Sequence, residues 1–366
     1  MLSQCPPALR PVFTSDDETH VFSLIIPLRL ALMARRGDER ARRLSLLMDH
    51  REDIESRPGF DKKWRQPVIQ FLTETFSSGV SAEELLRGVG IYITNAANMA
   101  PRTGRWVLPT FSFLSHSCVS NSRFFITSSG QVSVRAQVDI RAGDEVTISY
   151  LPPQPGNIVR RRTIRDLWHF TCSCPRCCDP SELGTCLSGV TCRKCETGAC
   201  MLPRDSDDLS SVYTCDECGA EVSSDTILAL LNSVKEQIKT ISHHEIEPLI
   251  IKLSTVLHPN NYLILELKQK FVDISMDSAG GGEHDKETLA TVVDYIKDII
   301  KINKKIEPGL TVTLGTNLRY LNTAMLKLAK MKMINKEIDK KEFMMTTMLA
   351  AENIKLAKKC FEEISL

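Results

Sequence analysis

Residues 113–118 read FLSHSC, residues 143–150 read GDEVTISY and residues 172–177 read CSCPRC. The first motif is a polar turn that ends in a cysteine, and the second is a short strand pattern that ends in Tyr150. The third motif places three cysteines within six residues. Thiolates are good zinc ligands, and three of them leave one position of a tetrahedral site to be filled from elsewhere. The motifs therefore predict a structure that zinc ties together around Tyr150.

Spacing alone does not decide the fourth ligand of this first cysteine cluster. Cys118 lies beside His116 in the polar turn, and as a ligand it would join that turn to the segment after Tyr150. Cys178 adjoins the three cysteines and is the alternative, in which case Cys118 would be an ordinary buried thiol. Both interpretations remain open at this point.

A second cysteine cluster follows, in which Cys192-x2-Cys195 precedes Cys215-x2-Cys218. Two such pairs are typical of a zinc ribbon, and the alternative is a group of reduced thiols without a metal. Ten of the thirteen cysteines lie between residues 172 and 218, mostly in close pairs. In a chain without a secretory signal, this favours metal binding over a disulfide framework. Four further cysteines are interpreted as non-ligands: Cys5, Cys186, Cys200 and Cys360.

Composition indicates an ordinary globular chain of 366 residues, with 42% apolar and 25% charged residues. The formal net charge of +1 implies no general attraction to nucleic acid or to a membrane surface. The apolar run at residues 21–33 is interrupted by Ser23, Pro27 and Arg29, and it is too short to span a bilayer. We see no signal peptide and expect an intracellular protein of the nucleus, the cytoplasm or both.

The pattern of residues changes along the chain and divides it into segments. Helical spacing of apolar residues predicts helices before residue 100, one of them at 62–76 and the last with Ser81 as its N-cap. Aromatic and β-branched residues at 106–113 and beyond predict strands, with a hairpin turn at 128–130. The predicted segments are an irregular N-terminus (1–20), a helical insertion (21–100), a strand-rich region (101–170), a cysteine-rich region (171–222) and a helical C-terminal domain (223–366) in which 278–282 is a break.

Five motifs, in this order, resemble the SMYD family of SET-domain proteins, and most of all its arthropod SmydA branch. The family reads Thr-Asn-Ala, Asn-His-Ser-Cys-x-Pro-Asn, Gly-Glu-Glu-x-x-Ile-Ser-Tyr, an arginine-rich helix and Cys-x-Cys-x2-Cys. The corresponding residues of this chain are 94–96, 115–121, 143–150, 160–165 and 172–177. The resemblance implies an α+β fold: a partial SET β-fold with a helical insertion, a zinc-binding post-SET region and a tetratricopeptide-like helical C-terminal domain.

The resemblance also implies a protein-lysine methyltransferase that uses S-adenosylmethionine on a lysine-containing protein or peptide, such as a histone tail. Methyl transfer to an amine depends on alignment of the reacting atoms and on a deprotonated lysine. By position in the family motifs, Tyr150 is the catalytic residue, and the cofactor-binding residues are Asn95, Ser115, His116 and Phe170. The implied zinc ligands are Cys118, Cys172, Cys174 and Cys177 in the first cluster, with Cys192, Cys195, Cys215 and Cys218 in the second.

Two departures from the family weaken the catalytic interpretation. Ser115 stands where the family has asparagine, so a donor and acceptor is replaced by a shorter hydroxyl. Family members also carry an N-terminal SET segment with a Gly-x-Gly cofactor motif and a MYND zinc finger. The twenty residues before Val21 hold no glycine and one cysteine, so we expect neither element in this sequence.

These departures support an alternative function, which is a non-catalytic, zinc-stabilised protein-interaction module acting in transcriptional regulation. Nucleic-acid binding through the ribbon is a weaker hypothesis, because that segment is acidic at Asp205, Asp207, Asp208, Asp216 and Glu217. We expect a monomer that does not bind membranes.

Overall fold

The computed structural model of the protein describes residues 18–75, 78–98, 105–126, 131–203, 212–277 and 285–362. The chain forms two compact units. The first contains residues up to 115 together with the segment 165–170, and the second contains residues 116–164 and those from 171 onward. The predicted fold class is confirmed, since helices and strands are mixed and the C-terminal region is helical. Most of the predicted irregular N-terminus, the turn at 128–130 and the break at 278–282 lie outside the described residues.

The first unit is built from helices that enclose one apolar core. Its elements are α1 (Glu18–Ala34), α2 (Glu39–Ser45), α3 (Arg51–Glu55), a π-helix (Asp61–Thr75), α4 (Ala82–Asn95) and the antiparallel pair β1 (Ala96–Asn98) and β2 (Arg105–Val107). α1 packs against α4. The core includes Leu30, Leu44, Ile54, Trp64, Leu72, Leu85 and Val89.

The predicted N-cap of α4 is confirmed and forms a full capping box. The Ser81 backbone N–H donates to Glu84 Oε2 at 2.9 Å, and the Glu84 N–H donates to Ser81 Oγ at 3.3 Å. Arg35, after the end of α1, donates to both carboxylate oxygens of Glu84 at 2.6 Å. The start of α4 is thus fixed both locally and to the neighbouring helix.

Two predictions for this unit are corrected by the structure. The helix expected at residues 62–76 is a π-helix, and it contains Pro67, which lacks the N–H that an α-helical hydrogen bond would require. The strand expected at 106–113 ends at Val107, and a 3₁₀ turn covers Phe111–Phe113. Pro109 lies between the two and cannot donate to a strand ladder.

Short strands lie around the point where the chain passes from the first unit to the second, between Ser115 and His116. β3 (Ser115–His116) leads into the polar turn, and β4 (Ser122–Ile126) pairs in antiparallel register with β5 (Val132–Ala136). β6 (Thr147–Ile148) lies beside the turn, because the Ser117 N–H donates to the Ile148 carbonyl at 3.1 Å. α5 (Asn157–Trp168) follows, and it belongs to the second unit up to Ile164.

The cysteine-rich region forms a small antiparallel sheet in the order β10-β9-β8-β7. The strands are β7 (Val190–Thr191), β8 (Ala199–Met201), β9 (Val212–Cys215) and β10 (Glu221–Ser223). The strands are short, and several of their buried residues, such as Val190, Cys200 and Tyr213, join the core of the helices that follow.

The rest of the second unit is helical: α6 (Ser224–Thr240), α7 (His243–Leu253), α8 (Tyr262–Asp277), α9 (Lys286–Ile306), α10 (Val312–Ile334) and α11 (Lys340–Glu362). Successive helices from α7 to α11 pack on one another. A tetratricopeptide-like repeat remains a prediction. None of the helices described for this chain is both long and apolar enough to cross a bilayer.

The link between α9 and α10 contacts the β4–β5 hairpin. Gly309 has φ +88°, and a Cβ built there would lie 2.0 Å from the Gln137 carbonyl oxygen. Arg123 on β4 donates to the Leu310 carbonyl. Glycine is therefore required at position 309, both for its backbone conformation and for this close approach.

We predict that Gly88→Ala lowers the stability of the first unit by about 1–3 kcal/mol. In an exposed helix this change would stabilise, but here the new Cβ would lie 2.6 Å from the Pro27 carbonyl oxygen on α1. All three tryptophans (Trp64, Trp106 and Trp168) belong to the first unit, so urea unfolding followed by tryptophan fluorescence measures this unit specifically.

The matched control is Glu83→Ala on the exposed side of α4, for which a change below about 0.5 kcal/mol is expected. A Gly88→Ala variant as stable as the parent would contradict the packing described for α1 and α4.

Candidate functional site

The first cysteine cluster brings together Cys118, Cys172, Cys174 and Cys177, whose sulfur atoms all lie within 4.8 Å of one another. The Sγ atom of Cys118 is 4.0 Å from that of Cys172 and 3.5 Å from that of Cys177. Tetrahedral zinc with bonds of about 2.3 Å places its sulfur ligands about 3.8 Å apart. The four thiols therefore fit such a metal ion, and Cys178 is turned away to donate to the Ser173 carbonyl at 3.3 Å.

Asn121 joins the polar turn to β6 and was not singled out from the sequence except as part of a motif. Its Oδ1 accepts from the Thr147 N–H at 2.9 Å, and its Nδ2 donates to the Glu145 carbonyl at 2.8 Å. Its own N–H donates to Thr147 Oγ1 at 3.2 Å. These bonds join the turn that follows Cys118 to the strand that leads to Tyr150.

Beneath the first cysteine cluster lies a buried charged triad, which we define as Arg160, Arg176 and Glu182. Arg160 Nε lies 3.3 Å from Cys118 Sγ, and its Nη1 donates to Glu182 at 2.6 Å. Arg176 contacts the same carboxylate oxygen, with Nη2 at 3.0 Å. All three side chains are at most 1% exposed. Burial alone would raise the pKa of Glu182, but the two guanidinium groups outweigh it and hold the pKa below its usual value.

Sequence reasoning missed this triad. Arg160 belongs to the arginine-rich helix of the sequence motifs, and nothing in its spacing distinguishes it from Arg162. The available signal was chemical, because four nearby thiolates require compensating positive charge, and a buried arginine then requires a carboxylate.

His116 connects the first cysteine cluster to Tyr150. Its Nδ1 accepts the Tyr150 backbone N–H at 3.0 Å, so the ring proton of the neutral imidazole is on Nε2. Nε2 lies 3.3 Å from Cys118 Sγ and donates to it. Burial lowers the pKa of His116 to about 4, which keeps the imidazole neutral. The His116 side chain is therefore used inside the protein, and any contact with a cofactor would be made by its backbone.

Tyr150 is half-buried, and its ring centroid lies 5.1 Å from that of His116. Burial, together with the charge of Glu145, raises the pKa of the Tyr150 hydroxyl. The phenol is consequently protonated at neutral pH and can both donate and accept a hydrogen bond.

The other predicted cofactor residues, Asn95, Ser115 and Phe170, belong to the first unit. Asn95 ends α4, and its Nδ2 donates to the carbonyls of Met48 at 2.8 Å and Ile91 at 3.1 Å. Both amide hydrogens are thus used within the unit. Ser115 is half-buried and Phe170 is 37% exposed.

The second cysteine cluster lies at one end of the four-stranded sheet. Cys192 and Cys218 have their sulfur atoms 3.6 Å apart, and those of Cys195 and Cys215 are 3.7 Å apart. The Gly198 backbone N–H donates to Cys195 Sγ at 3.3 Å. Backbone donors of this kind lower the pKa of Cys195 to about 6, which favours the thiolate that a metal requires.

Three of the cysteines interpreted as non-ligands lie within the described residues: Cys186, Cys200 and Cys360. Among the described residues, Cys186, Cys200 and Cys360 belong to no group of side chains that can hold a metal ion. Burial raises the pKa of Cys200 to about 12, so this thiol stays protonated. Cys5 lies outside the described residues.

Comparison with known proteins finds similarity to a family of domains over the first part of the chain. A SET domain family model matches residues 24–151, which include Asn95, His116 and Tyr150. The chain is therefore similar to SMYD-type SET-domain proteins over part of its length. The isoform A of "SET domain-containing protein SmydA-8" from Drosophila melanogaster is 26% identical over 265 residues, covering 68% of this chain and 57% of that protein.

Two further relatives carry names that state an activity. "Histone-lysine N-methyltransferase SET5" from Candida glabrata is 37% identical over 73 residues, covering 20% of this chain and 14% of that protein. "Histone-lysine N-methyltransferase ASHR1" from Arabidopsis thaliana is 23% identical over 230 residues, covering 58% of this chain and 45% of that protein. The chain spans about half the length of the SmydA-8 relatives that it matches.

We predict that Glu182→Gln destabilises the second unit by about 3–5 kcal/mol, because two buried guanidinium groups lose the carboxylate that they share while side-chain shape is kept. Urea unfolding of the zinc-loaded chain, followed by far-UV circular dichroism, measures the change. Glu266→Gln on the exposed side of α8 is the control and should cost less than about 0.5 kcal/mol. Equal stabilities of the two variants would show that the buried triad is not needed.

Proposed function

We propose that this chain is an S-adenosylmethionine-dependent protein-lysine methyltransferase in which Tyr150 is the catalytic residue. The SET domain match and the relatives named histone-lysine N-methyltransferase support this activity. The observation that carries the proposal is the His116 link, because one imidazole holds both the Tyr150 backbone and a thiol of the first cysteine cluster. Such fixed positioning is the main requirement of methyl transfer.

S-adenosylmethionine supplies a methyl group on a positively charged sulfur. The chain's own residues orient the acceptor, and a neutral Tyr150 hydroxyl can accept a hydrogen bond from an incoming amine without attracting a second charge. Ser115 and His116 would contribute through their backbone, since the His116 ring is already engaged. Asn95 would contribute through Oδ1, since its amide hydrogens are donated to Met48 and Ile91. Phe170 would contribute an exposed ring face.

The proposed substrate is a lysine-bearing protein or peptide, with a histone tail as the first case to examine. The names of the relatives support a histone substrate and, with it, a nuclear location alongside a cytoplasmic one.

We predict that Tyr150→Phe lowers the rate of methyl transfer by about a hundredfold or more, because loss of one positioned hydroxyl at a reacting group has effects of this size. The assay measures transfer of a labelled methyl group from S-adenosylmethionine to core histones. Cofactor affinity, measured by isothermal titration, should change less than about threefold. Tyr320→Phe on α10 is the matched control and should retain full activity. An equal loss in both variants would contradict the role of Tyr150.

A second candidate function is a peptide-binding module without turnover, acting in transcriptional regulation. A cavity of about 600 Å³ in the second unit favours it. Pro152 and Gln154, just after Tyr150, line this cavity together with side chains of α6, α8 and α9, such as Lys239, Leu265 and Ile299. Ser115 in place of the family's asparagine also supports this candidate. Tight binding of histone peptides without detectable methylation or S-adenosylmethionine binding would favour it over the enzyme.

We further propose that zinc occupies both cysteine clusters, each of which supplies four thiols within bonding reach of one ion. Metal analysis of protein dialysed against buffer containing a weak chelator should find about two zinc per chain. Cys118→Ser should retain only the ribbon zinc, since three thiols remain in the first cluster. Cys178→Ser is the matched control and should keep both ions. Two zinc in the Cys118→Ser variant would contradict the ligand assignment.

A further inference from the structure

The first unit contains a group of side chains that neither the sequence motifs nor the proposed enzyme activity explains. We define it as the histidine site: His50, Asp53 and His169. The Nδ1 atom of His50 lies 3.5 Å from Asp53 Oδ2, and the Nδ1 atom of His169 lies 3.7 Å from the same oxygen. One potential ligand atom from each residue lies within 4.8 Å of the other two. The two imidazole rings are stacked, with centroids 4.7 Å apart.

The three side chains of the histidine site differ in their exposure to solvent. The side chains of His50 and His169 are only 16% and 13% exposed, whereas that of Asp53 is 58% exposed. Two imidazoles are therefore held in place by the protein, and the carboxylate closes the group on the side that faces solvent. An ion can reach this position from water and keep water molecules as its remaining ligands.

The backbone at both histidines supports a role beyond packing. His50 has φ +43° and His169 has φ +60°, a left-handed conformation that non-glycine residues adopt at a cost. His50 is also the N-cap residue of α3, and its side chain makes no capping hydrogen bond. Asparagine or aspartate would satisfy both the backbone and the cap better, so helix formation does not account for a histidine at this position.

We propose that the histidine site binds a divalent first-row metal ion through His50 Nδ1, His169 Nδ1 and an Asp53 carboxylate oxygen. Two imidazoles and one carboxylate suit zinc, nickel or iron, and they differ in chemistry from the all-thiolate clusters of the second unit. Three protein ligands leave one or more coordination positions for water.

Arg57 competes with a metal ion for His169. Its Nη2 lies 2.7 Å from His169 Nε2 and also donates to the Asp166 carbonyl. In that arrangement the His169 ring proton is on Nδ1, directed toward Asp53. Metal binding at Nδ1 moves the ring proton to Nε2, and Arg57 then keeps only its bond to Asp166. The metal and the Arg57–His169 hydrogen bond are therefore mutually exclusive.

The position of His169 gives the metal a structural consequence. His169 follows the end of α5 and precedes Phe170, while His50 begins α3. An ion bound by both would fasten the segment 165–170 to α3 within the first unit. Its occupancy would therefore set how rigidly Phe170 is held.

The experiment uses the full chain with two zinc ions already in the cysteine clusters. Isothermal titration with zinc chloride should show one further ion per chain, bound with a dissociation constant in the micromolar range. The variants His50→Asn and His169→Asn should each weaken this third ion by tenfold or more. Asparagine accepts the left-handed backbone, so these changes remove a ligand with little effect on folding.

Two other variants make the test specific. Arg57→Gln should bind the third ion several-fold more tightly, because the competing hydrogen bond to His169 is weakened. His244→Gln, at an exposed histidine of α7, should leave the third ion unchanged. A titration that ends at two zinc ions overturns the proposal, and so does a third ion that survives His169→Asn or is lost with His244→Gln.

A measurement on the unaltered chain covers the case in which the asparagine variants unfold. Diethyl pyrocarbonate modifies accessible imidazole nitrogens, and mass spectrometry locates the modified residues. Excess zinc should slow modification of His50 and His169 by severalfold and leave His244 unaffected. Equal rates with and without zinc at His50 and His169 overturn the proposal.

Discussion

The contacts of the Cys118 sulfur atom connect the main features of the second unit. Its sulfur lies within 4.0 Å of two other thiols and is contacted by Arg160 and His116. Negative charge on buried thiolates must be balanced, and Arg160 supplies the positive charge. A buried arginine must in turn be paired, and Glu182 supplies the carboxylate. The same sulfur fixes the His116 ring, whose other nitrogen holds the backbone of Tyr150. One cysteine thus joins the first cysteine cluster, the buried charged triad and the candidate catalytic residue.

Sequence reasoning succeeded where a pattern is local. The Ser81 cap and the helical character of the chain after residue 223 follow from spacing within a few residues, and the four cysteines of the second cluster lie together as their pairs predicted. It failed where partners are distant in the chain. Arg160 and Glu182 look like surface residues until the fold places them beneath four thiols. The histidine site was invisible for the same reason, since His50 and His169 meet only after the chain has folded.

The structure shows which contacts are made by the residues that were assigned by family resemblance. The structure places His116 and Tyr150 together, and it shows that the His116 ring serves the protein interior. Asn95 likewise donates its amide hydrogens to backbone carbonyls of the first unit. A polar residue within a sequence motif can therefore have its side chain engaged inside the protein, as the hydrogen bonds of His116 and Asn95 show.

The short distances between thiols have a consequence for redox chemistry. The sulfur atoms are 3.5 Å apart in Cys118 and Cys177, and they are 3.6 Å apart in Cys192 and Cys218. In each pair the two sulfur atoms need to approach by only about 1.5 Å to form a disulfide. A metal ion engages the same lone pairs that would attack an oxidant. Metal-free protein exposed to air would consequently become cross-linked inside both clusters, and added metal could not reverse that state without a reductant.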